Sequence, residues 1–173
     1  MATVTALRER PRGRVDVELD GAPWRTLPAD AVVRSGLLVG RALDRPTART
    51  LARELRRSDA LRVAARALRR RDLSRSALAE RLPAPAREDA LETLERSGLV
   101  DDARTAAARA AWLAGRGWGD EAIRFRLEHE GFAREPLENA LAAVEPEPER
   151  ARALRAEGRT ERLLAARGFA PDP

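Results

Sequence analysis

The chain has 173 residues, of which 35% are charged and 43% are apolar, a composition suited to a soluble and mostly helical protein. It has no cysteine, which excludes disulfides, thiol nucleophiles and cysteine-ligated metals. No stretch approaches the roughly 20 apolar residues that span a bilayer, and residues 2–14 lack the apolar run of a secretory signal. We therefore expect a cytoplasmic protein with no membrane contact.

The positive charge of the chain comes from arginine alone. All 33 basic residues are arginine, and the sequence pI is about 11.1. A GC-rich genome explains the choice of arginine over lysine but not its placement. Segments 49–71, 104–126 and 150–167 carry balances of +7, +3 and +4, whereas 85–102 and 128–149 carry −4 and −6. Basic bands of this kind are typical of surfaces that bind a polyanion or an acidic protein groove.

The first 27 residues have a different pattern from the rest. Apolar residues alternate with acids from Val15 to Leu19, which is the periodicity of a strand. Asp20-Gly21 then supplies the dipeptide of a tight hairpin turn. Trp24 to Leu27 fits the returning strand, and Val4 to Leu7 fits a preceding one. We predict a β-hairpin or three-stranded sheet that packs on the following helices, because so small a sheet is not stable alone.

The remaining sequence contains a repeated helical pattern. Residues 74–94 resemble residues 119–144, and residues 164–169 (LAARGF) resemble residues 127–132 (LEHEGF). The spacings are 45 to 47 and then 37 residues, and periods of this size are typical of helical repeat arrays. The corresponding apolar positions are Leu78, Leu82 and Leu94 in one copy and Ile123, Leu127 and Leu141 in the other.

These patterns predict the boundaries of five segments. They are a β-rich extension with a short helix at 1–45, a connecting helix at 46–58, repeat 1 at 59–98, repeat 2 at 99–146 and an incomplete repeat 3 at 147–173. We expect helices at 74–82, 86–97, 103–114, 119–130 and 134–144, and two short ones within 150–167. Repeat 3 lacks a final helix, so its end at Pro173 is expected to fray.

Local signals support several helix starts. Asp44, Ser74 and Asp101 or Asp102 are good N-caps, because their side-chain oxygens can accept hydrogen bonds from free backbone N–H groups. Trp118 and Ile123 flank a helix start at the spacing of a hydrophobic staple.

The sequence offers no catalytic constellation. The one histidine, His129, lies between two glutamates and has no second imidazole nearby, so a solvated side chain is favoured over a metal ligand. Helix capping accounts for Asp101-Asp102. The glycine-rich run 115–119 follows a helix rather than a strand, which argues against a phosphate loop. We predict a protein that is not an enzyme and that binds no metal and no cofactor.

Aromatic residues give weak support for base stacking. Trp118 and Phe132 fit roles in the core, whereas the roles of Trp112 and Phe125 stay open.

The arginine clusters are the candidate binding residues. On a helix, Arg62, Arg66, Arg69 and Arg70 share one flank through spacings of three and four residues, and Arg71 and Arg75 continue it. Arg116, Arg124 and Arg126 occupy the corresponding part of repeat 2. The alternative is a solvated face that pairs with neighbouring glutamates. Against it, nine arginines face two acids in residues 49–71, a repulsive density that a bound polyanion would offset.

Four motifs in order resemble the RecX family of recombination regulators. They are residues 67–78 (ALRRRDLSRSAL), 97–104 (SGLVDDAR), 113–119 (LAGRGWG) with 123–127, and 164–169 (LAARGF). Residues 15–21 (VDVELDG) and 35–43 (SGLLVGRAL) also resemble the N-terminal extension of many members. The chain departs from the pattern at Pro83-Ala84-Pro85, a linker about two residues shorter than the one around Gly131, and in its incomplete third repeat.

The resemblance implies a mainly α fold, in which tandem three-helix repeats form an elongated curved array behind the small sheet. It further implies a regulator that lies in the groove of the RecA–DNA filament. We expect this regulator to be a cytoplasmic monomer. Such proteins inhibit strand exchange and the RecA coprotease activity of the SOS response, without catalytic residues or cofactor. DNA is expected to bind mainly within the filament, and otherwise weakly and without sequence preference. The basic stripe that would face RecA and DNA comprises Arg66, Arg69, Arg70, Arg71, Arg75, Arg116, Arg124 and Arg126.

Two other functions fit the sequence. Helices at 74–82 and 86–97 could form a helix-turn-helix of a stand-alone DNA-binding regulator, although the second is acidic where a recognition helix faces phosphates. A helical scaffold for another partner is also compatible with the composition.

Overall fold

The structure, a computed structural model, describes residues 1–171. In this part of the chain, three strands precede nine α-helices. The elements are β1 (Val4–Arg10), β2 (Arg14–Leu19), β3 (Ala22–Pro28), α1 (Ala29–Arg34), α2 (Arg45–Leu68), α3 (Arg75–Ala79), α4 (Arg87–Arg96), α5 (Asp102–Gly115), α6 (Asp120–His129), α7 (Arg134–Ala142), α8 (Glu147–Ala156) and α9 (Glu161–Ala166).

The chain divides into two compact units. The N-terminal unit comprises Met1–Arg66 with Leu82–Ala90, and the C-terminal unit comprises Ala67–Arg81 with the chain from Leu91 onward. The five segment boundaries proposed from the sequence stay a prediction. The mainly α composition and the small N-terminal sheet are confirmed.

The sheet is antiparallel in the order β1-β2-β3. Asp20 and Gly21, with φ values of 49° and 81°, form the turn between β2 and β3, where the sequence placed it. Both residues need the left-handed region because such a turn matches the twist of the strands. The apolar face of the sheet packs on α1, the following loop and α2 as predicted. Its core residues are Val4, Val15, Val17, Leu27, Val32, Leu37 and Leu51.

Helix α2 runs without a break for 24 residues, where the sequence predicted a connecting helix that ended near Ser58. Asp44 caps it as expected, since its Oδ1 accepts a hydrogen bond from Thr47 N at 2.8 Å. No glycine or proline interrupts residues 47–68, and the buried face continues from Leu51 through Ala60 to Ala64. Continued burial therefore outweighs the weak helix propensity of Ser58-Asp59.

Helix α3 is shorter than predicted and ends at Ala79 instead of Leu82. Pro83 excludes Leu82 from the helix, because a proline disfavours helical geometry in the residue before it. A 3₁₀ turn at Ala84–Ala86 then leads into α4. Ser74 is the predicted N-cap, and its Oγ accepts a hydrogen bond from Ala77 N at 3.1 Å.

Helices α5, α6 and α7 surround one core in the C-terminal unit. Asp101 caps α5, since its Oδ1 accepts a hydrogen bond from Arg104 N at 2.9 Å. Trp118 packs against this core, as the predicted staple with Ile123 requires. The core residues are Ala106, Ala110, Leu113, Ile123, Leu127, Phe132, Leu137, Ala140 and Leu141.

The predicted repetition of 127–132 in 164–169 is visible in the geometry. Phe132 N donates to Leu127 O at 3.1 Å, and Phe169 N donates to Leu164 O at the same distance. Gly131 and Gly168 precede these phenylalanines with φ values of 83° and 76°. Both helices thus end in the same left-handed glycine cap, with a buried leucine before it and a buried phenylalanine after it.

The segment with α8 and α9 is fixed to the start of α6. Gly119 N donates to Arg167 O at 2.9 Å, and Gly119 lies so close to Gly168 that a Cβ atom at Gly119 would collide with the Gly168 carbonyl. Arg150, only 7% exposed, donates to Trp118 O at 2.6 Å and to the Asp120 carboxylate. The expected fraying at Pro173 lies outside the described residues.

Replacement of Gly119 by alanine tests this close approach. The added methyl meets backbone rather than a flexible side chain, so we expect a loss of at least about 2 kcal/mol in the free energy of unfolding. Gly115→Ala is the matched control, because a Cβ there meets nothing within 4 Å and the residue ends a helix. Urea unfolding should show the control unchanged or up to about 1 kcal/mol more stable. Equal stability of the two variants would contradict the packing described.

Two aspartates near helix starts, Asp102 and Asp44, predict opposite pH dependences of stability. Burial raises the pKa of Asp102 above its ordinary value of 3.8, although its carboxylate accepts a hydrogen bond from Arg75 N. Hydrogen bonds from Thr47 lower the pKa of Asp44 below 3.8. The contribution of the Asp102 carboxyl to the free energy of unfolding is therefore largest below pH 3.8, where the group is protonated in both states. This contribution is lost as the pH rises through the raised pKa. The Asp44 carboxyl contributes stability above pH 3.8 that is lost as the pH falls.

The Asp102→Asn variant should accordingly gain stability relative to the parent as the pH rises above 3.8. The Asp44→Asn variant should lose stability relative to the parent as the pH rises toward 3.8. Denaturant unfolding at a series of pH values from 2.5 to 7 measures both differences. Slopes of the same sign for the two variants would show that the described environments are wrong.

Candidate functional site

Four residues of the predicted basic stripe have free side chains. Arg66 lies in the N-terminal unit, and Arg69, Arg70 and Arg71 lie in the C-terminal unit. All four are exposed, and their side chains form no hydrogen bond or ion pair with any other described residue. The turn after α2 exposes three of them in succession, because the helix ends at Leu68. These guanidinium groups are available to an external anion.

Two other stripe residues are neutralised by acids. Arg75 Nε lies 2.7 Å from Glu95 Oε1, and Arg124 Nε lies 3.2 Å from Glu138 Oε1. The hydrogen bond from Arg124 lowers the pKa of Glu138. These pairs join α3 to α4 and α6 to α7, so the acidic bands of the sequence partly neutralise the basic bands. Partly exposed pairs of this kind contribute little to the stability of the fold, because solvent screens them.

The last two stripe residues stack on tryptophans. The guanidinium carbon of Arg126 lies 4.0 Å from the centre of the Trp118 ring, and that of Arg116 lies 4.5 Å from the Trp112 ring. Arg126 Nε is buried and has no hydrogen-bond partner among the described residues. Arg126 therefore supports the packing of Trp118, whereas Arg116 remains exposed beside an exposed ring.

A groove of about 710 Å³ lies within the C-terminal unit. Residues 71–81 form one wall, and α5 and the end of α6 form the other. Of the predicted stripe, the groove includes only Arg71. Its charged and aromatic lining comprises Arg71, Asp72, Glu80, Arg81, Arg109, Trp112, His129 and Glu130.

One hydrogen bond joins the two walls of the groove, and an ion pair connects two residues within the second wall. Ser74 Oγ donates to Glu130 O at 2.7 Å, which joins the start of α3 to the end of α6. Arg109 binds the Glu130 carboxylate through Nε at 3.0 Å and through Nη2 at 2.7 Å. This two-point geometry fixes the guanidinium plane of Arg109 next to Trp112.

Sequence reasoning missed Arg81 and Arg109 and left Trp112 undecided. A signal for the last two was available on α5. Ala106, Ala110 and Leu113 form its buried face. Arg109, Trp112 and Arg116 follow one another at spacings of three and four residues on a different flank. Arg81 lies after the end of α3 at Ala79, which the sequence did not predict.

The described residues show no metal site and no membrane span. No group of three or more histidines, aspartates or glutamates is arranged to hold a metal ion in the part of the chain that the structure describes. His129 is exposed, and its ring is parallel to that of Phe125 with the centres 6.4 Å apart. None of the helices in residues 1–171 combines the length and apolarity needed to cross a bilayer.

Comparison with known proteins gives a match at the level of structure. No protein-family model and no curated protein matches the sequence. A solved structure described as the crystal structure of regulatory protein RecX superposes with a TM-score of 0.82 over 98% of this chain and 95% of that chain, at 21% sequence identity. A match of this extent at this identity establishes the fold. The chain has the fold of RecX, as the four sequence motifs predicted.

Proposed function

We propose that this protein is a non-enzymatic regulator of DNA recombination and repair that binds the RecA–DNA filament and inhibits the recombinase and coprotease activities of RecA. The observation that carries the proposal is the free run Arg69-Arg70-Arg71 on a RecX fold. RecX is described as a regulatory protein, and a chain with its fold and no catalytic constellation in its sequence fits the same class.

Electrostatics favours a partner with regularly spaced negative charge. Three adjacent cations repel one another, and none of them makes a direct ion pair with a described carboxylate. A nucleic-acid backbone or an acidic protein surface would relieve it and would release counterions on binding. A RecA filament offers both kinds of surface. Binding to free DNA should be weak, sensitive to salt and independent of sequence.

The eight stripe residues contribute unequally to the proposed interface. Arg66, Arg69, Arg70 and Arg71 are free, and Arg116 is exposed. Arg75 and Arg124 would first have to leave their glutamates, so we assign them secondary roles. Arg126 is held against Trp118 and serves the fold. We further propose that the protein acts as a cytoplasmic monomer without cofactor, with repeats at 59–98, 99–146 and 147–173.

The helix-turn-helix alternative gains no support. Helix α3 has only five residues, and α4, which would enter the DNA groove, carries four acids against two arginines. A recognition helix of that charge would repel the phosphates.

Charge reversal at the free run tests the proposal. The triple variant Arg69→Glu, Arg70→Glu, Arg71→Glu should inhibit RecA-driven DNA strand exchange at least about ten-fold less strongly than the parent, because several phosphate or carboxylate contacts are lost together. Inhibition is measured as the protein concentration that halves strand exchange by purified RecA on single-stranded DNA.

The matched control reverses three exposed arginines elsewhere, Arg12, Arg25 and Arg34, for the same change in net charge. It should inhibit nearly as well as the parent. If the parent does not inhibit RecA, the proposed function is wrong. If both triple variants lose inhibition equally, net charge rather than the run at 69–71 is responsible.

A further inference from the structure

We propose that Trp112 is a stacking platform for a base of single-stranded nucleic acid, with Arg109 and Arg116 as its cationic flanks. This deepens the proposed function, on which it rests in part, because it assigns a direct nucleic-acid contact to a particular groove.

The exposure of Trp112 is not explained by the fold. Its residue surface is 48% exposed, and that of Phe125 is 69% exposed, whereas Trp118 packs against the core of the C-terminal unit. A tryptophan normally contributes its large apolar surface to a core or an interface. Trp112 contributes little to the core, since Ala106, Ala110 and Leu113 form the buried face of its helix. The guanidinium groups of Arg109 and Arg116 lie over the ring. A base would therefore reach the ring by displacing the Arg116 guanidinium, because that side chain makes no hydrogen bond or ion pair with another described residue.

Two arginines cover the Trp112 ring in the free protein. The guanidinium carbons of Arg109 and Arg116 lie 4.6 Å and 4.5 Å from the centre of the Trp112 ring. Glu130 fixes Arg109 in place through a two-point ion pair. Guanidinium groups stack on bases and bind phosphates, and an indole ring stacks on any base. The arrangement thus combines both modes of contact with single strands.

The charge of the groove favours a neutral group inside it. Three arginines of the lining are balanced by three acids, Asp72, Glu80 and Glu130. The groove itself therefore has little net attraction for phosphates or for acidic side chains. Surplus positive charge lies next to the lining residues in the sequence, at Arg69 and Arg70, and at Arg116 on the indole ring. A single strand fits this pattern if a base enters the groove and the phosphates stay near these arginines.

A second aromatic pair adjoins the groove. His129 is part of the lining, and its ring lies parallel to the exposed ring of Phe125, with an angle of 6° between the planes. Phe125 thus offers an apolar surface next to the groove for a neighbouring base. An acidic peptide would not need two exposed aromatic surfaces and would meet Asp72 and Glu80, so a single strand is the better occupant.

The test compares binding of a fluorescently labelled 12-nucleotide oligothymidylate and an abasic oligonucleotide of equal length, at fixed salt, by anisotropy. Trp112→Leu should weaken oligothymidylate binding about five-fold or more, because base stacking on an aromatic contributes roughly 1–3 kcal/mol. Trp112→Phe should retain most of the affinity. Trp24→Leu, at another exposed tryptophan in the sheet, is the matched control and should bind like the parent. The abasic strand should bind the parent more weakly and be insensitive to Trp112→Leu.

Circular dichroism confirms that the variants fold, and Phe125→Leu provides a second substitution that should also weaken binding of the oligothymidylate. Equal affinity of the parent for the two strands, unchanged affinity in Trp112→Leu, or no binding of the oligothymidylate by the parent would overturn the stacking proposal. So would displacement of the oligothymidylate by oligoglutamate as effectively as by unlabelled strand.

The failure of this proposal can be told apart from failure of the proposed function. If the parent inhibits RecA but Trp112→Leu binds the oligothymidylate like the parent, only the stacking proposal is wrong. If Trp112→Leu loses binding but the parent does not inhibit RecA, the platform stands and the proposed regulatory function is wrong.

Discussion

The fold depends on the burial of a few leucine-sized side chains by helices that are too short to persist alone. In the described part of the C-terminal unit no complete helix exceeds 14 residues, and isolated helices shorter than about 12–15 residues are marginal in water. Full burial of side chains such as Ile123, Leu127 and Leu164 contributes about 1.5–3 kcal/mol each and offsets this weakness. The left-handed glycines that follow α6 and α9 end the helices at once, so that Phe132 and Phe169 turn back onto the same cores. Packing and capping therefore act on the same few residues, which explains why Leu, Gly and Phe recur at matching positions of the two segments.

The arginines perform three different physical tasks, although the sequence presents them as one class. Arg150 is buried and donates to backbone carbonyls as well as to Asp120, so it connects α8 to the start of α6. Arg75 and Arg124 join neighbouring helices through glutamates, with little net stabilisation. The run at 69–71 has no described partner at all. Net charge alone overestimates the binding surface, because Arg150, Arg75 and Arg124 are paired with acids of the same protein. The third group is the part of the +7 segment that remains for an external partner.

Much of the fold was predictable because its signals are local. The Asp20-Gly21 turn, the caps at Ser74 and Asp101 and the repeated leucines each act over five or fewer residues, and all lie where the sequence placed them. The errors arose where tertiary burial outweighed local preference. Helix α2 continues through Ser58-Asp59 because Ala60 and Ala64 are buried, and α3 ends early before Pro83. Periodicity reports which face a helix buries, but it does not report where a packed helix finally ends.

The candidate site was less predictable than the fold because it depends on pairings between distant residues. Charge counts predicted an excess of cations around Arg69, Arg70 and Arg71, and the structure shows no direct ion pair for them. Charge counts could not foresee that Glu95 and Glu138 would reach Arg75 and Arg124. The same limitation applies to Trp112. Its spacing from Arg109 and Arg116 places it on one flank of α5, but only the packing shows that α5 buries Ala106, Ala110 and Leu113 and leaves Trp112 about half exposed. A helix that buries alanine and exposes tryptophan leaves a large apolar surface in contact with water. An interface that covers the ring would remove this surface from water.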